Sequence, residues 1–111
     1  MKKIFVSHPF TGDEKQNRSD AAGIVASLQY EHPGMQFINP LEIFRPLGGW
    51  CPEYAILAAC MNLIRRCDAV LQCDGWEKSA GCRAEAAFAI VNEIPCIDRD
   101  GLNMIGGSEG A

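Results

Sequence analysis

Short apolar runs alternate with longer amphipathic stretches along this chain, and that alternation constrains the fold more than any other feature. Lys3 to Ser7 is one such run, stopped by His8-Pro9-Phe10-Thr11-Gly12. Met35 to Ile38, closed by Asn39-Pro40, is a second; Asp68 to Cys73, centred on Ala69-Val70-Leu71, is a third; Ile94 to Asp98 is a fourth. Runs of this length bounded by Gly, Pro and Asn read as buried strands. Between the first two, Asp13 to Tyr30 places Ala21, Ile24, Val25 and Leu28 on one helical face, and His32-Pro33-Gly34 ends it. Leu41 to Cys51 is a long connection. Pro52 then suits the first turn of a helix on which Tyr54, Leu57, Ala58, Met61 and Ile64 recur at helical spacing. Ser79 caps a further predicted helix reaching about Asn92, with Ala80, Ala84, Ala87, Phe88 and Val91 as its inner face.

Strands alternating with helices predict an α/β fold: a parallel sheet of four to five strands with helices on both faces, joined by right-handed crossovers. In outline this is a flavodoxin-like or Rossmann-like three-layer sandwich, for which 2-1-3-4 is the common strand order. With 111 residues the chain has enough surface to bury one core, not two. Residues 1–100 are therefore expected to form a single domain, and 101–111 a glycine-rich, partly disordered tail. In open parallel sheets ligands bind beyond the carboxyl ends of the strands. That rule selects three loops: Ser7 to Asp13, Asn39 to Cys51, and Asp74 to Ser79, which together hold both tryptophans, Trp50 and Trp76.

Charge and cysteine content exclude several partners. A formal charge of −4 with no run of Lys or Arg argues against nucleic acid or an acidic membrane surface, both of which need a basic patch. No apolar stretch approaches bilayer length, and Met1 to Val6 lacks a signal-peptide core. The six cysteines include no CxxC pair, and His8 and His32 complete no zinc pattern. Several lie in apolar runs, such as Ala58-Ala59-Cys60-Met61. They read as reduced thiols filling a core, which implies a reducing, cytoplasmic setting and neither a metal nor a disulfide framework.

The sharpest local pattern is Ser79-Ala80-Gly81-Cys82-Arg83-Ala84-Glu85. Ser79 would cap a helix whose free N–H groups and dipole favour an anion such as a phosphate. Gly81 lies one turn before Glu85 on the same side and leaves open space over its carboxylate. With Ala80, Ala84 and Phe88 turned inward, Glu85 is expected at the border of the apolar face, where a half-buried carboxylate has a raised pKa. A glutamate in an alanine-rich helix is more often a solvated residue, so spacing alone leaves both readings open.

Beyond these readings, the chain resembles the nucleoside 2-deoxyribosyltransferase-like superfamily, which includes deoxynucleoside 5′-monophosphate N-glycosidases, and within it a branch of small bacterial and phage proteins. Carrying the resemblance are Ser7-His8-Pro9-Phe10-Thr11-Gly12, Phe37-Ile38-Asn39-Pro40, Trp50, Cys67-Asp68-Ala69-Val70, Gly75-Trp76-Glu77-Lys78-Ser79, Gly81, Glu85 and Ile94-Pro95. These span almost the whole domain in the same order and spacing. The resemblance implies that Glu85 is the nucleophile that attacks the sugar C1′ as the base leaves, in the manner of retaining glycosidases. It implies that Ser79, Gly81 and nearby N–H groups hold a 5′-hydroxyl or 5′-phosphate. The loop bearing Ser7, His8, Pro9 and Gly12 would contact base or sugar together with Asn39, and Trp50 or Trp76 would stack on a base or serve as packing. It implies no cofactor, and a homodimer or larger homo-oligomer.

The chain departs from the pattern at one position. Where the family carries a second acid, an Asp, this sequence has Cys60, and a thiol does not do the same proton work. Asp68 is expected to be structural, because it starts its strand at the opposite end of the sheet; Asp74, at the correct end, is the substitute acid. His8, where relatives often have glycine, is either a base-contacting group, a general acid or exposed surface. Hydrolysis or transfer at an N-glycosidic bond is thus the leading reading. The alternative is a nucleotide-binding sensor without catalysis, which tolerates the loss of the acid. A flavin mononucleotide binder is weaker, since Asp13 brings negative charge beside Thr11-Gly12. A purely structural domain does not account for glycine-rich loops at one end of the sheet.

Overall fold

The structure is a computed structural model that describes residues 1–110. Among the described residues four strands form: β1 (Lys2–Ser7), β2 (Met35–Ile38), β3 (Ala69–Gln72) and β4 (Cys96–Ile97). They pair in parallel in the order β2-β1-β3-β4, the common order for this architecture. The α-helices of the described residues are α1 (Glu14–Glu31), α2 (Pro40–Ile43), α3 (Glu53–Ile64), α4 (Ala80–Val91) and α5 (Arg99–Gly110). The predicted α/β class is the one observed.

Alternation along the strands divides the core into two layers. Ile4, Val6, Leu71 and Cys73 face Leu28 and Ile24 of α1 and Leu102 and Ile105 of α5. Phe5 and Val70 face Cys60 and Ile64 of α3 and Ala89 and Phe88 of α4. Ile4, Phe5, Val6, Leu28, Ile64, Val70 and Leu102 are all 0% exposed, so the central strands are sealed on both sides as a parallel sheet requires. At the amino end Asp68 accepts the Lys3 N–H at 2.7 Å, and its own N–H donates to the Lys3 carbonyl at 2.8 Å. Asp68 thus fastens β3 to β1.

Four expectations need correction. The connection after β2 contains a helix: Asn39 accepts the Leu41 N–H at 3.2 Å as a cap, and Pro40 sits at the first position, where its missing N–H is harmless. Pro52 is the residue before α3, not within it. Both α3 and α4 are turned from the predicted faces. Tyr54 is 76% exposed and Val91 80%, while Cys60 of α3 and Cys82, Glu85, Ala86 and Ala89 of α4 face inward; of the expected faces, Ile64 and Phe88 do pack against the core. The predicted tail is helical over Arg99–Gly110; Ala111 lies outside the described residues. Asp98 caps this helix, accepting the Gly101 N–H at 2.9 Å, and Leu102 anchors it in the α1 layer. A Cβ at Gly101 would lie 3.1 Å from Ile97 Cβ, so a small residue lets α5 turn directly off β4.

Candidate functional site

The strand order reverses between β1 and β3, and the crevice at their carboxyl ends is where this architecture places ligands. The two ends are tied there: Ser7 pairs with Gln72, and the Cys73 N–H donates to the Ser7 carbonyl at 3.0 Å. Ser7 is the last residue of β1 and its side chain points to the α3/α4 side. Its hydroxyl donates to Glu85 Oε1 at 2.8 Å across 78 residues of sequence, and Ser7 is 1% and Glu85 7% exposed.

Glu85 is therefore at the centre of the buried face of α4, not at its border. The reason is helical register: Cys82, Glu85, Ala86 and Ala89 are spaced three and four apart. Burial raises its carboxyl from the ordinary value near 4.5 to about 7, opposed by donation from the Ser7 hydroxyl and, less, by the nearby Cys60 thiol. The Ser7 bond has full hydrogen-bond geometry, and Cys60 is buried in the neighbouring α3/α4 layer without such a bond to Glu85. Burial first, and then the Glu85 charge, push the Cys60 thiol up to about 12, so it stays protonated. Cys82 completes the cluster, its thiol raised by burial and partly restored by the Ser7 and Ser79 hydroxyls. Periodicity could have flagged Cys60 as an inward neighbour of Glu85. Cys60, Leu63, Ile64 and Ile56 form one stripe, but the equally apolar opposite face hid it.

Above this cluster the start of α4 is built as expected. Ser79 Oγ accepts the Cys82 N–H at 3.3 Å and the Ser79 carbonyl accepts the Arg83 N–H at 2.9 Å. The N–H groups of Ala80 and Gly81 precede them in the turn whose donors a helix leaves without intrahelical partners. A Cβ at Gly81 would meet only Ser79 Oγ, at 4.0 Å, so the space beside it is open.

The other predicted residues divide between the sides of the crevice. His8, Pro9 and Asp74 line a groove of about 820 Å³ between α1 and α5, walled by Gly23 and Asp98 among others. Trp76 and Asp74 line a second groove of about 480 Å³ beside β4, and Glu85 lines neither. Asp74 is thus presented to the grooves on the α5 side rather than to Glu85. His8 Nδ1 is 2.7 Å from the Pro9 carbonyl, and Pro9 Cγ would be 3.6 Å from a Cβ at Gly75, so the first and third loops abut. Gly75 is left-handed at φ +87° and turns the chain from β3 into the Trp76–Lys78 turn, and Gly12 is left-handed at φ +111° at the outer end of its loop. The Asn39 side-chain oxygen is engaged in capping α2, and Trp50 is 87% exposed. Ser7, Ser79, Gly81 and Glu85 are brought together. Cys60, which the sequence marked only as a departure, joins them.

Among the described residues, no helix is long and apolar enough to cross a membrane. Compared with solved structures, the chain is similar to a 2-deoxyribosyltransferase from the psychrotolerant bacterium Bacillus psychrosaccharolyticus. The TM-score is 0.62 at 17% identity, over 86% of this chain and 70% of that one. The shared architecture is the fold that the sequence resemblance implied. No curated protein matches the chain in sequence. A family model matches residues 2–98, from the first strand through the last, and by that match the chain belongs to the family described as "Domain of unknown function (DUF4406)".

Proposed function

We propose that this protein binds a nucleoside or nucleotide at the carboxyl end of β1 and β3 and cleaves or transfers its N-glycosidic bond with Glu85 as nucleophile. The observation that carries the reading is the Glu85 carboxyl, buried at the strand-order reversal, held by Ser7, and bordered by open space at Gly81. A carboxylate kept from water in this way is a stronger nucleophile than a solvated one, and an apolar wall spares it competing hydrogen bonds. Its carboxyl near 7 leaves a substantial fraction ionised at neutral pH. The N–H groups of Ala80 and Gly81, with Ser79, suit a 5′-hydroxyl or 5′-phosphate. His8, Pro9, Gly12 and Asn39 supply the base and sugar side, and Trp50 or Trp76 a stacking surface. The similarity to a 2-deoxyribosyltransferase supports the same chemistry and the same superfamily; within it, the motif resemblance in the sequence is the basis for inferring the branch of small bacterial and phage proteins. We further infer a cytoplasmic protein that works without a cofactor and assembles at least as a dimer; exposed Trp50 and Tyr54 are consistent with a contact surface.

A non-catalytic nucleotide sensor is the second reading. The observation that favours it is Cys60, a thiol too weakly acidic to replace a carboxylic acid. One experiment separates the two. Ribo- and deoxyribonucleosides and their 5′-monophosphates are incubated with the protein, with melting shifts read for binding and chromatography for free base. Free base lost in Glu85→Ala establishes the enzyme. A melting shift with the nucleotide intact establishes the sensor. Neither signal across the panel removes both.

A further inference from the structure

Two helices of this domain have almost no polar side to give to water. The only charged or amide side chains of α3 are Glu53 and Asn62, and those of α4 are Arg83 and Glu85, of which Glu85 is turned inward. A helix that is apolar all round is normally buried all round. Here the core takes one face, through Cys60 and Ile64 of α3 and Ala86 and Ala89 of α4. Most of the stripe that the spacing assigned to the interior stays outside: Tyr54, Ala58 and the half-buried Met61 on α3, and Ala80, Ala87, Val91 and the half-buried Ala84 on α4. Tyr54, Ile90 and Val91 are each more than two-thirds exposed. Across the sheet α1 is different, showing Glu14, Lys15, Gln16, Ser19 and Asp20 to water. The apolar surface therefore belongs to one layer, where two neighbouring helices run in the same direction, α3 entering β3 and α4 leaving it. Charges mark the ends of this face. α3 begins at Glu53 and is followed by Arg65 and Arg66; α4 carries Arg83 near its start and is followed by Glu93. The ion pairs of the described residues are Glu42–Arg45 and Glu31–Arg99, so none of these charges is paired within the chain. Arg65 lies over the Phe88 ring at 5.4 Å and Arg83 holds the Glu77 carbonyl at 2.9 Å, which leaves Arg66, Glu53 and Glu93 to solvent.

We propose that a second copy of this chain covers the α3/α4 face, with α3 antiparallel to its counterpart and α4 antiparallel to its own. A two-fold axis lying in the interface, perpendicular to the helices, generates this pairing. Glu53 and Arg66 are symmetric in sequence about a crossing between Ala58 and Met61, so the axis brings Glu53 of each copy to Arg66 of the other. Arg83 and Glu93 are symmetric about Phe88 and meet in the same way. At the α3 crossing Ala58 of each copy faces Met61 of the other, and at the α4 crossing Ala87 presents only a methyl group. Residues this small let helix axes approach to about 8–10 Å. The apolar middle supplies the driving force, and the end charges fix the direction. The face carries its own counter-charges, which is what a self-complementary surface requires. A lipid surface meets Glu53 and Glu93 at the two ends and no cluster of lysines between them. The proposal gives the inferred assembly a surface, and it stands independently of the glycosidic reading.

Sedimentation and light scattering on the intact protein, without nucleotide, test it. The particle should have twice the 12.1 kDa chain mass. Ala58→Glu and Ala87→Glu each place a carboxylate at a position exposed in the single chain, so both should fold, as checked by far-ultraviolet circular dichroism. Each should raise the dimer dissociation constant by about a hundredfold or more, because the interface would then bury an unpaired charge. Lys15→Glu, on the opposite side of the sheet, should leave mass and affinity unchanged. Glu53→Arg sets like charges together and should weaken the pair by about tenfold; adding Arg66→Glu should restore it. A dimer indifferent to both Ala58→Glu and Ala87→Glu overturns the surface. Failure of Arg66→Glu to rescue Glu53→Arg overturns the antiparallel arrangement. A chain that stays monomeric up to about 1 mM overturns the proposal as a whole and leaves the face to a different protein or a lipid surface. None of these readings involves release of base, so a failure of the glycosidic reading leaves the interface standing, and the converse holds equally.

Discussion

Burying Glu85 couples the stability of the whole domain to pH, and replacing it by Gln isolates that coupling. Its carboxyl lies near 4.5 when solvated and about 7 in the folded chain, chiefly through burial. The native state therefore holds this proton more tightly than the unfolded state between those values. Stability from this group is fully present below pH 4.5, declines as pH rises through the window, and is lost above the folded value. A shift of this size corresponds to about 3 kcal/mol, a large share of the 5–15 kcal/mol typical of a domain. For a chain of this size it amounts to roughly 10 °C in melting temperature. Urea melts at half-unit intervals from pH 4.5 to 8 would be run on the native chain and on Glu85→Gln. Groups common to both cancel in the difference. That difference should shrink or reverse in favour of Gln by about 3 kcal/mol as pH rises from 4.5 to 7.5, then level. Gln brings an amide N–H₂ in place of a carboxylate oxygen, and a buried N–H₂ needs an acceptor of its own, so its absolute stability carries an offset; the slope does not. A flat difference across the window would refute the argument that burial sets the protonation of Glu85.

Three further outcomes are expected. Ser7→Ala removes the 2.8 Å donor and should destabilise the protein by about 1–2 kcal/mol at pH 8 and by less at pH 5, measured by urea melts at both pH values. Leu102→Ala, at a site 0% exposed, should cost about 2–5 kcal/mol, and hydrogen exchange should show protection lost first in α5. Gly81→Leu fills space in which a Cβ meets only Ser79 Oγ; stability should hold or rise by up to about 1 kcal/mol, while nucleotide-induced melting shifts disappear.

The strands were legible because a buried parallel strand is short, apolar and sharply bounded, as Ile4-Phe5-Val6 and Ala69-Val70-Leu71 are; their order was not, since it depends on pairing between distant segments and was named only as the common solution. The rotation of α3 and α4 was not. Both helices are apolar nearly all round, so alanine and cysteine on every side leave no polar face to fix the register. A glutamate in such a helix is naturally assigned to the edge, yet here Ser7 receives it in the interior. That tertiary bond between residues 78 apart carries no local signal. For α2 the signal was present: Asn39 as cap, Pro40 first and Glu42 in the first turn. The glycines of the last segment outweighed the evidence for α5, although Asp98 and Leu102 supply a cap and an anchor. Of the site, the Ser79-to-Glu85 motif was visible in spacing; the burial of Cys60 in the neighbouring α3/α4 layer came from helix packing.

The free thiols are shared between the two sides of the sheet. Cys73 belongs to the layer under α1 and α5, and Cys60 and Cys67 to the layer under α3 and α4. Burial pushes Cys67 to about 11 and Cys73 to about 12, so each is shielded from alkylation both by the surrounding chain and by its own proton. A thiol of this kind reacts when its own layer opens. The rates at which Cys73 and the Cys60–Cys67 pair are modified thus report, without any introduced label, whether the two halves of the sandwich loosen together or one before the other.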